Sequence, residues 1–193
     1  MSLRKIHSDP FSPLAPPRPR GQSPRMRIKT CFAAACLALL TACSSHPVAS
    51  DSATYILVRH AEKATAPAKD PPLTEAGQQR AQRLAESLES IPLDAVYSSA
   101  YQRTRQTASP VAQAQRLTVI DYAPDDAAAF ATRLRTSHPR GTVLVVGHSN
   151  TLPPLARALC NCAVADMDER IYGIRYTIRF DANGRAALIE TRD

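Results

Sequence analysis

The chain has 193 residues, a formal net charge of +7, five cysteines and no tryptophan. The positive charge is concentrated near the N-terminus: residues 1–43 hold seven Lys or Arg and one Asp, whereas residues 44–193 hold seventeen basic and sixteen acidic residues. The basic balance is therefore no argument for nucleic-acid binding. The 150 residues from 44 to 193 are enough for one domain with its own core.

The first 43 residues have the composition of a leader rather than of a folded domain. Residues 1–25 combine six prolines with several arginines and lack apolar periodicity, which predicts a disordered or mis-annotated extension. Residues 26–43 follow the pattern of a secretory signal peptide, in which a short basic segment precedes an apolar stretch too short to span a bilayer. Because Met26 opens this pattern, we expect translation to start there.

The leader ends in LTAC at residues 40–43, which resembles a bacterial lipobox with Cys43 as the lipidated residue. The alternative is an ordinary signal peptide cleaved near a chance cysteine. The lipobox predicts a protein of the bacterial cell envelope that faces the periplasm and is held to the membrane through Cys43. The residue after Cys43 is Ser44 rather than an aspartate, which favours sorting of the lipoprotein to the outer membrane. Residues 44–53 are expected to form a tether between the lipid and the domain.

The first predicted strand carries the most informative residues of the chain. Residues 55–58 form a continuous apolar run, as expected for a buried strand of a parallel sheet. Arg59 and His60 follow at once. They are therefore expected at the carboxyl edge of the sheet, where ligands bind in α/β proteins.

Strands and helices alternate along the rest of the chain. Helices are predicted from Thr74 onward, over residues 100–115, through Phe130 and Leu134, and from Pro153 onward; strands are predicted over residues 94–97, 117–120 and 143–146. Residues 172–180 and 186–190 indicate a closing hairpin with an Asn-Gly turn. This order predicts a three-layer α/β/α sandwich with a mostly parallel sheet.

A second histidine occupies the same position relative to its strand. The run at residues 142–146 ends in Gly147 and His148, with the glycine expected to let the backbone bend. His60 and His148 are thus expected to converge at one edge. Arg103 is predicted one turn inside the helix that follows the second strand.

Four segments together resemble the histidine phosphatase superfamily, the phosphoglycerate-mutase-like proteins. They are RHAEK at residues 59–63, LTEAGQQRA at 73–81, YSSAYQRTRQTA at 97–108 and VVGHSN at 145–150. The resemblance covers nearly all of residues 54–193 and is closest to the small single-domain phosphatase branch. It implies a phosphatase that needs no cofactor or metal and works through a phosphohistidine.

The residue types suit that chemistry. Arg59 and Arg103 supply planar forks that bind the phosphoryl oxygens. His60 is the expected nucleophile, and His148 the charged donor to the equatorial oxygens. With a reference pKa near 6.5, either histidine was expected to act near neutral pH after only a modest shift.

No motif identifies the general acid. Glu62 lies two residues from the nucleophile, and Asp121, Asp125 and Asp126 fall in a predicted loop after the third strand. The favoured interpretation of Asp125 and Asp126 is that one of them forms the acidic first turn of the next helix. Without an acid, the enzyme should prefer good leaving groups such as phosphohistidine or aryl phosphates.

Several other side chains have predicted roles outside the reaction itself. Lys63, Tyr101 and residues 121–126 are expected at the rim of the site. Ser98 and Ser99 are expected to cap a helix rather than to contact substrate, and Arg105 to be a solvated or structural charge. Cys160 and Cys162 are expected as two thiols, in slight preference to a disulfide.

The sequence therefore predicts a phosphatase acting on a phosphorylated small molecule or phosphoprotein. The alternative is a catalytically silent envelope lipoprotein that binds a phosphorylated ligand or a protein partner. The complete set of two arginines and two histidines favours the enzyme, because a silent binder has no need of a nucleophile.

Overall fold

The computed structural model describes residues 52–192; the predicted extension, signal peptide and Cys43, and all but the last two residues of the predicted tether, lie outside them. Six strands and four helices alternate before a final hairpin. Their bounds are β1 Ala53–Arg59, α1 Glu75–Ser87, β2 Ala95–Ser99, α2 Gln102–Ala114, β3 Val119–Tyr122, α3 Ala127–Ser137, β4 Gly141–Gly147, α4 Leu152–Cys160, β5 Ile174–Phe180 and β6 Ala186–Arg192. Every predicted element is present, with ends that differ by a few residues.

The strands form one sheet in the order β3-β2-β4-β1-β5-β6. The first four strands in this order are parallel, and β5 and β6 are antiparallel to their neighbours. Arg59 at the end of β1 pairs in register with Gly147 at the end of β4. The residues that follow these two strands therefore begin at the same level of the sheet.

Helices cover both faces of the sheet, which is why the central strands are buried along almost their whole length. On β1, Ile56 and Val58 pack with α1 and α2, whereas Tyr55 and Leu57 pack with α3 and α4. Both cores are apolar, which explains why β1 and β4 are continuous apolar runs. The predicted α/β/α sandwich is confirmed.

Side-chain caps fix the starts of two helices. Thr74 accepts a hydrogen bond from the Gly77 amide at the start of α1, as predicted. Asp126 does the same for the Ala129 amide at the start of α3. Asp121 is not in the loop where it was predicted, because β3 continues through it to Tyr122.

The cysteine prediction is wrong, because Cys160 and Cys162 form a disulfide. Asn161 between them adopts a left-handed conformation with φ of 49° at the end of α4. This turn brings the two Cα atoms to 5.2 Å, within the range that a disulfide spans.

The closing hairpin is present, but its turn is longer than a two-residue Asn-Gly turn. The Gly184 amide donates to the carbonyl of Asp181, and Gly184 has a φ of 76°. Asn183 is not in a left-handed conformation, so Gly184 alone supplies the positive φ of a three-residue loop.

Within residues 52–192, no helix is both long enough and apolar enough to cross a membrane.

Candidate active site

The ends of β1 and β4 bring two histidines together. The His60 amide donates to the carbonyl of Gly147 at 2.9 Å, which ties the residue after β1 to the end of β4. The ring centroids of His60 and His148 are 5.4 Å apart. Gly147 is needed there for space, because a Cβ would lie 2.6 Å from the Tyr122 hydroxyl and 2.8 Å from the Leu152 side chain. The predicted convergence of the two imidazoles is observed.

A cavity of about 260 Å³ opens over the two rings. Arg103 reaches it from the first turn of α2, and Arg59 from the end of β1. The other side chains around it come from the loops that follow β1, β2, β3, β4 and α4: Lys63, Tyr101, Pro124, Ser149, Asn150, Thr151 and Glu169. All four predicted phosphate-binding and catalytic side chains therefore line one cavity of a size that suits a phosphoryl group.

One hydrogen bond fixes the tautomer of His60. Its Nδ1 lies 2.8 Å from the carbonyl oxygen of Ala61. Since a carbonyl oxygen only accepts, Nδ1 carries the proton. In the neutral ring Nε2 then keeps its lone pair, which is the state that a nucleophilic imidazole requires.

A chain of hydroxyl groups fixes the tautomer of His148. Thr104 Oγ1 donates its single proton to the backbone carbonyls of Ser99 and Tyr101, each at 2.8 Å. Ser99 Oγ, 2.9 Å from Thr104 Oγ1, must therefore donate to that oxygen. Ser99 Oγ is then left to accept from Nε2 of His148 at 2.8 Å. Nε2 of His148 thus carries a proton, and Nδ1 is its second titratable position.

This chain corrects the expectation for the two serines, because neither caps α2. Tyr101 occupies the N-cap position and makes no side-chain capping bond. Ser98 donates to the carbonyl of Ser99 at 2.8 Å. Both serines and Thr104 are buried, so their hydroxyls are committed to these internal partners.

The surroundings of both histidines favour the neutral imidazole. Burial, together with Arg59, His148 and Arg103, lowers the pKa of His60 to about 3, against the bond to Ala61, which raises it. Burial, with Arg103 and Arg59, lowers the pKa of His148 to about 4. The expected modest shift is therefore wrong. A phosphate dianion in this cavity would oppose the arginine charges and raise both pKa values, so a charged imidazole at His148 would require the anion in place.

Arg59 is held by the loop that follows α4. Its Nη1 donates to the carbonyls of Glu169 at 2.7 Å and Ile171 at 3.0 Å. Its guanidinium stacks on the ring of Tyr172, 4.3 Å from the ring centroid. Arg59 is 8% exposed, so these contacts fix the plane of its fork while other donors remain for an anion.

Arg103 is held more loosely. It stacks 4.4 Å from the centroid of the Tyr101 ring and lies 3.8 Å from a carboxylate oxygen of Asp70. Thr107, one turn further along α2, donates to the carbonyl of Arg103 and accepts from the Ala61 amide at 3.0 Å. One helix thus positions both Arg103 and the residue after the nucleophile.

The structure does not bring the predicted general acids to the cavity. Glu62 binds Arg80 with both carboxylate oxygens at 2.7–3.0 Å, and this contact lowers its pKa. Asp126 caps α3, and Asp125 lies beside it, away from the histidines. Asp121 pairs with Arg105, which confirms that Arg105 is a structural charge.

The carboxylate that does line the cavity, among the described residues, is Glu169. Its Oε1 lies 3.4 Å from the hydroxyl of Ser149. No sequence signal pointed to Glu169, because residues 161–173 have no regular structure and no motif. Thr104 and Thr107 were also missed, although both stand in the segment at residues 97–108 at helical spacing.

Within residues 52–192, no cluster of three or more His, Cys, Asp or Glu side chains has the geometry to hold a metal ion. The chemistry of the site is that of an anion pocket: two guanidinium groups and two imidazoles surround a space for one tetrahedral anion, with one imidazole nitrogen available to attack it.

Comparison with known proteins finds similarity to histidine phosphatases over part of the chain. Residues 55–125 match the family model described as "Histidine phosphatase superfamily (branch 1)". A 71-residue segment is 44% identical to Phosphoserine phosphatase 1 from Hydrogenobacter thermophilus, covering 34% of this chain and 34% of that protein. The match thus spans about a third of the length of this curated relative.

Solved structures show the same fold. The protein histidine phosphatase SixA, complexed with tungstate, superposes with a TM-score of 0.63 at 20% identity, covering 72% of this chain and 96% of that one. A mycobacterial glucosyl-3-phosphoglycerate phosphatase gives a TM-score of 0.59 at 15% identity, covering 71% and 97%. At these identities the likeness establishes the fold alone.

Proposed function

We propose that this chain, which carries a histidine phosphatase superfamily domain, hydrolyses phosphomonoesters or phosphohistidine through a phosphohistidine formed on His60. The observation that carries the proposal is the bond from His60 Nδ1 to the carbonyl of Ala61. It leaves Nε2 as the free base, in a ring that lines one cavity with His148, Arg59 and Arg103.

In the first step, the Nε2 lone pair attacks phosphorus. The bond from phosphorus to the leaving atom breaks and its electron pair stays on that atom, which is an oxygen in a phosphomonoester and an imidazole nitrogen in a phosphohistidine. Arg59, Arg103 and protonated His148 balance the charge on the equatorial oxygens. In the second step, water attacks phosphorus, the P–N bond breaks, and His60 regains its lone pair as phosphate leaves. No metal or organic cofactor takes part in either step.

The leaving group needs a proton unless its own pKa is low. Glu62, Asp125 and Asp126 do not line the cavity, and Glu169, which does, accepts a hydrogen bond from Ser149 and so is not poised to donate a proton. We therefore expect faster hydrolysis of phosphohistidine and aryl phosphates than of alkyl phosphates. Phosphoserine, phosphohistidine proteins and glucosyl-3-phosphoglycerate, which the names of the similar proteins suggest, form the first panel of substrates to test.

The test is hydrolysis of 4-nitrophenyl phosphate by the purified protein in the presence of EDTA. We expect turnover that is lost in His60→Ala. Equal activity in the variant would remove His60 from its role, and no activity in the wild-type protein on any of the panel would favour the catalytically silent alternative.

We also propose that the domain is a lipoprotein of the bacterial envelope, anchored through Cys43 and facing the periplasm, with Ser44 favouring the outer membrane. The support is the signal-like segment and the LTAC motif at residues 40–43. Metabolic labelling with a radioactive fatty acid tests this proposal: we expect incorporation that is lost in Cys43→Ala. Labelling that persists in the variant would contradict it.

A further inference from the structure

A second cavity adjoins the phosphate-sized one. Its volume is about 760 Å³, and it shares Tyr101 and Pro124 with the first cavity. We call it the side cleft. Its apolar wall is formed by Pro67, Ala100, Tyr122 and Ala123, together with the two shared residues. Its volume lies in the range of pockets that hold a small organic molecule, whereas the first cavity is about a third as large.

The charged side chains of the side cleft that lack an ion-pair partner are positive. Of its two carboxylates, Asp70 lies 3.8 Å from Arg103 and accepts from the Gln102 amide, and Asp121 is paired with Arg105. Its two cations, Lys69 and Arg133, have no ion-pair partner among residues 52–192.

Arg133 is also oriented by its surroundings. It projects from α3, and its guanidinium lies 4.9 Å from the centroid of the Phe130 ring. Such stacking leaves the edge of the guanidinium fork available for an anion. The wall is apolar, so a ligand that fills the side cleft should combine a flat apolar body with an anionic group that reaches Lys69 or Arg133.

We propose that the side cleft binds the leaving group of the substrate, and that this group is a flat ring system carrying a second negative charge. The inference rests on the proposed phosphatase function, because the phosphoryl group must occupy the first cavity for its leaving group to reach the second. Tyr101 and Pro124, which line both, lie along this path.

Two fluorogenic substrates with the same bicyclic body test the proposal. They are 4-methylumbelliferyl phosphate and its 4-carboxymethyl analogue, which differ by one carboxylate far from the reacting bond. We expect a higher kcat/KM for the anionic analogue. The preference, which is the ratio of the two kcat/KM values, should fall about threefold to fivefold in Arg133→Gln and in Lys69→Gln. This factor corresponds to the free energy that an exposed ion pair contributes. Arg135→Gln is the matched control, since it removes the same charge from the same helix but does not line the side cleft.

The outcomes separate the two claims. A preference for the anionic substrate that falls in Arg133→Gln or Lys69→Gln and not in Arg135→Gln supports binding of the leaving group in the side cleft. Equal kcat/KM for the two substrates, or an equal fall of the preference in Arg135→Gln, would overturn the proposal for the side cleft. Neither result would contradict the proposed phosphatase activity. No hydrolysis of either substrate would overturn the phosphatase proposal and, with it, this inference.

Discussion

Replacing Thr104 by valine tests how the protein sets the tautomer of His148. The substitution keeps the shape of a side chain that is fully buried, but removes the oxygen to which Ser99 Oγ donates at 2.9 Å. Ser99 is then free to donate to Nε2 of His148, which favours the opposite tautomer. One buried hydrogen bond contributes about 1 kcal/mol, so we expect kcat/KM to fall about fivefold. The lost bonds to two carbonyls should also lower the free energy of unfolding by about 1–2 kcal/mol.

The assay combines 4-nitrophenyl phosphate kinetics, urea unfolding and the ¹⁵N chemical shifts of the His148 ring, which report which nitrogen is protonated. Thr132→Val is the control, because Thr132 also donates to a backbone carbonyl but is exposed on α3. It should leave the kinetics and the shifts unchanged. If Thr104→Val loses stability while His148 keeps its proton on Nε2 and kcat/KM stays at the wild-type value, the hydroxyl chain has no part in positioning His148.

Three further changes have expected results. Arg59→Lys removes the planar fork between Glu169 and Ile171 and should lower kcat/KM at least tenfold; a change below twofold, measured with 4-nitrophenyl phosphate, would contradict the assigned role. The folded pKa values of His60 and His148 lie below the unfolded value of about 6.5, so the unfolded chain binds more protons between about pH 4 and 6.5. The free energy of unfolding should therefore decrease as the pH is lowered through that window, by up to about 1.4 kcal/mol per pH unit for each histidine, and less steeply in His60→Asn; equal slopes in urea titrations would refute this. Glu62→Gln should keep kcat/KM within twofold and lower the free energy of unfolding by about 1 kcal/mol, because it breaks a half-exposed ion pair; a tenfold loss of activity would return Glu62 to the reaction.

The order of the elements could be predicted because burial in the fold determines where apolar residues stand in the sequence. Strands β1 and β4 are buried on both faces and therefore read as continuous apolar runs. The carboxyl ends of parallel strands share one edge of the sheet. That rule alone predicts that His60 and His148 meet.

Which carboxylate lines the cavity could not be predicted, because this depends on where irregular segments lie. Glu62 is two residues from His60 in sequence, but the turn after His60 directs its carboxylate to Arg80. Glu169 is more than a hundred residues from His60, in an irregular loop whose carbonyls accept hydrogen bonds from Arg59. Neither contact can be predicted from the spacing of apolar residues along the sequence.

The pKa values of the histidines were missed for a related reason. Their residue types and neighbours in sequence suggest ordinary imidazoles. Their burial, and the two guanidinium groups beside them, exist only after folding. The disulfide likewise depends on the left-handed turn at Asn161, which the sequence does not specify.

The most direct test of the account is to trap the phosphorylated enzyme. Rapid acid-free quenching after mixing the protein with a ³²P-labelled aryl phosphate, followed by peptide mapping under alkaline conditions, locates the label. We expect an acid-labile phosphoryl group on Nε2 of His60, absent in His60→Ala and accumulating in a burst before steady state. Label on His148 or on another residue, or steady turnover with no phosphoenzyme in His148→Ala or wild-type protein, would contradict the account.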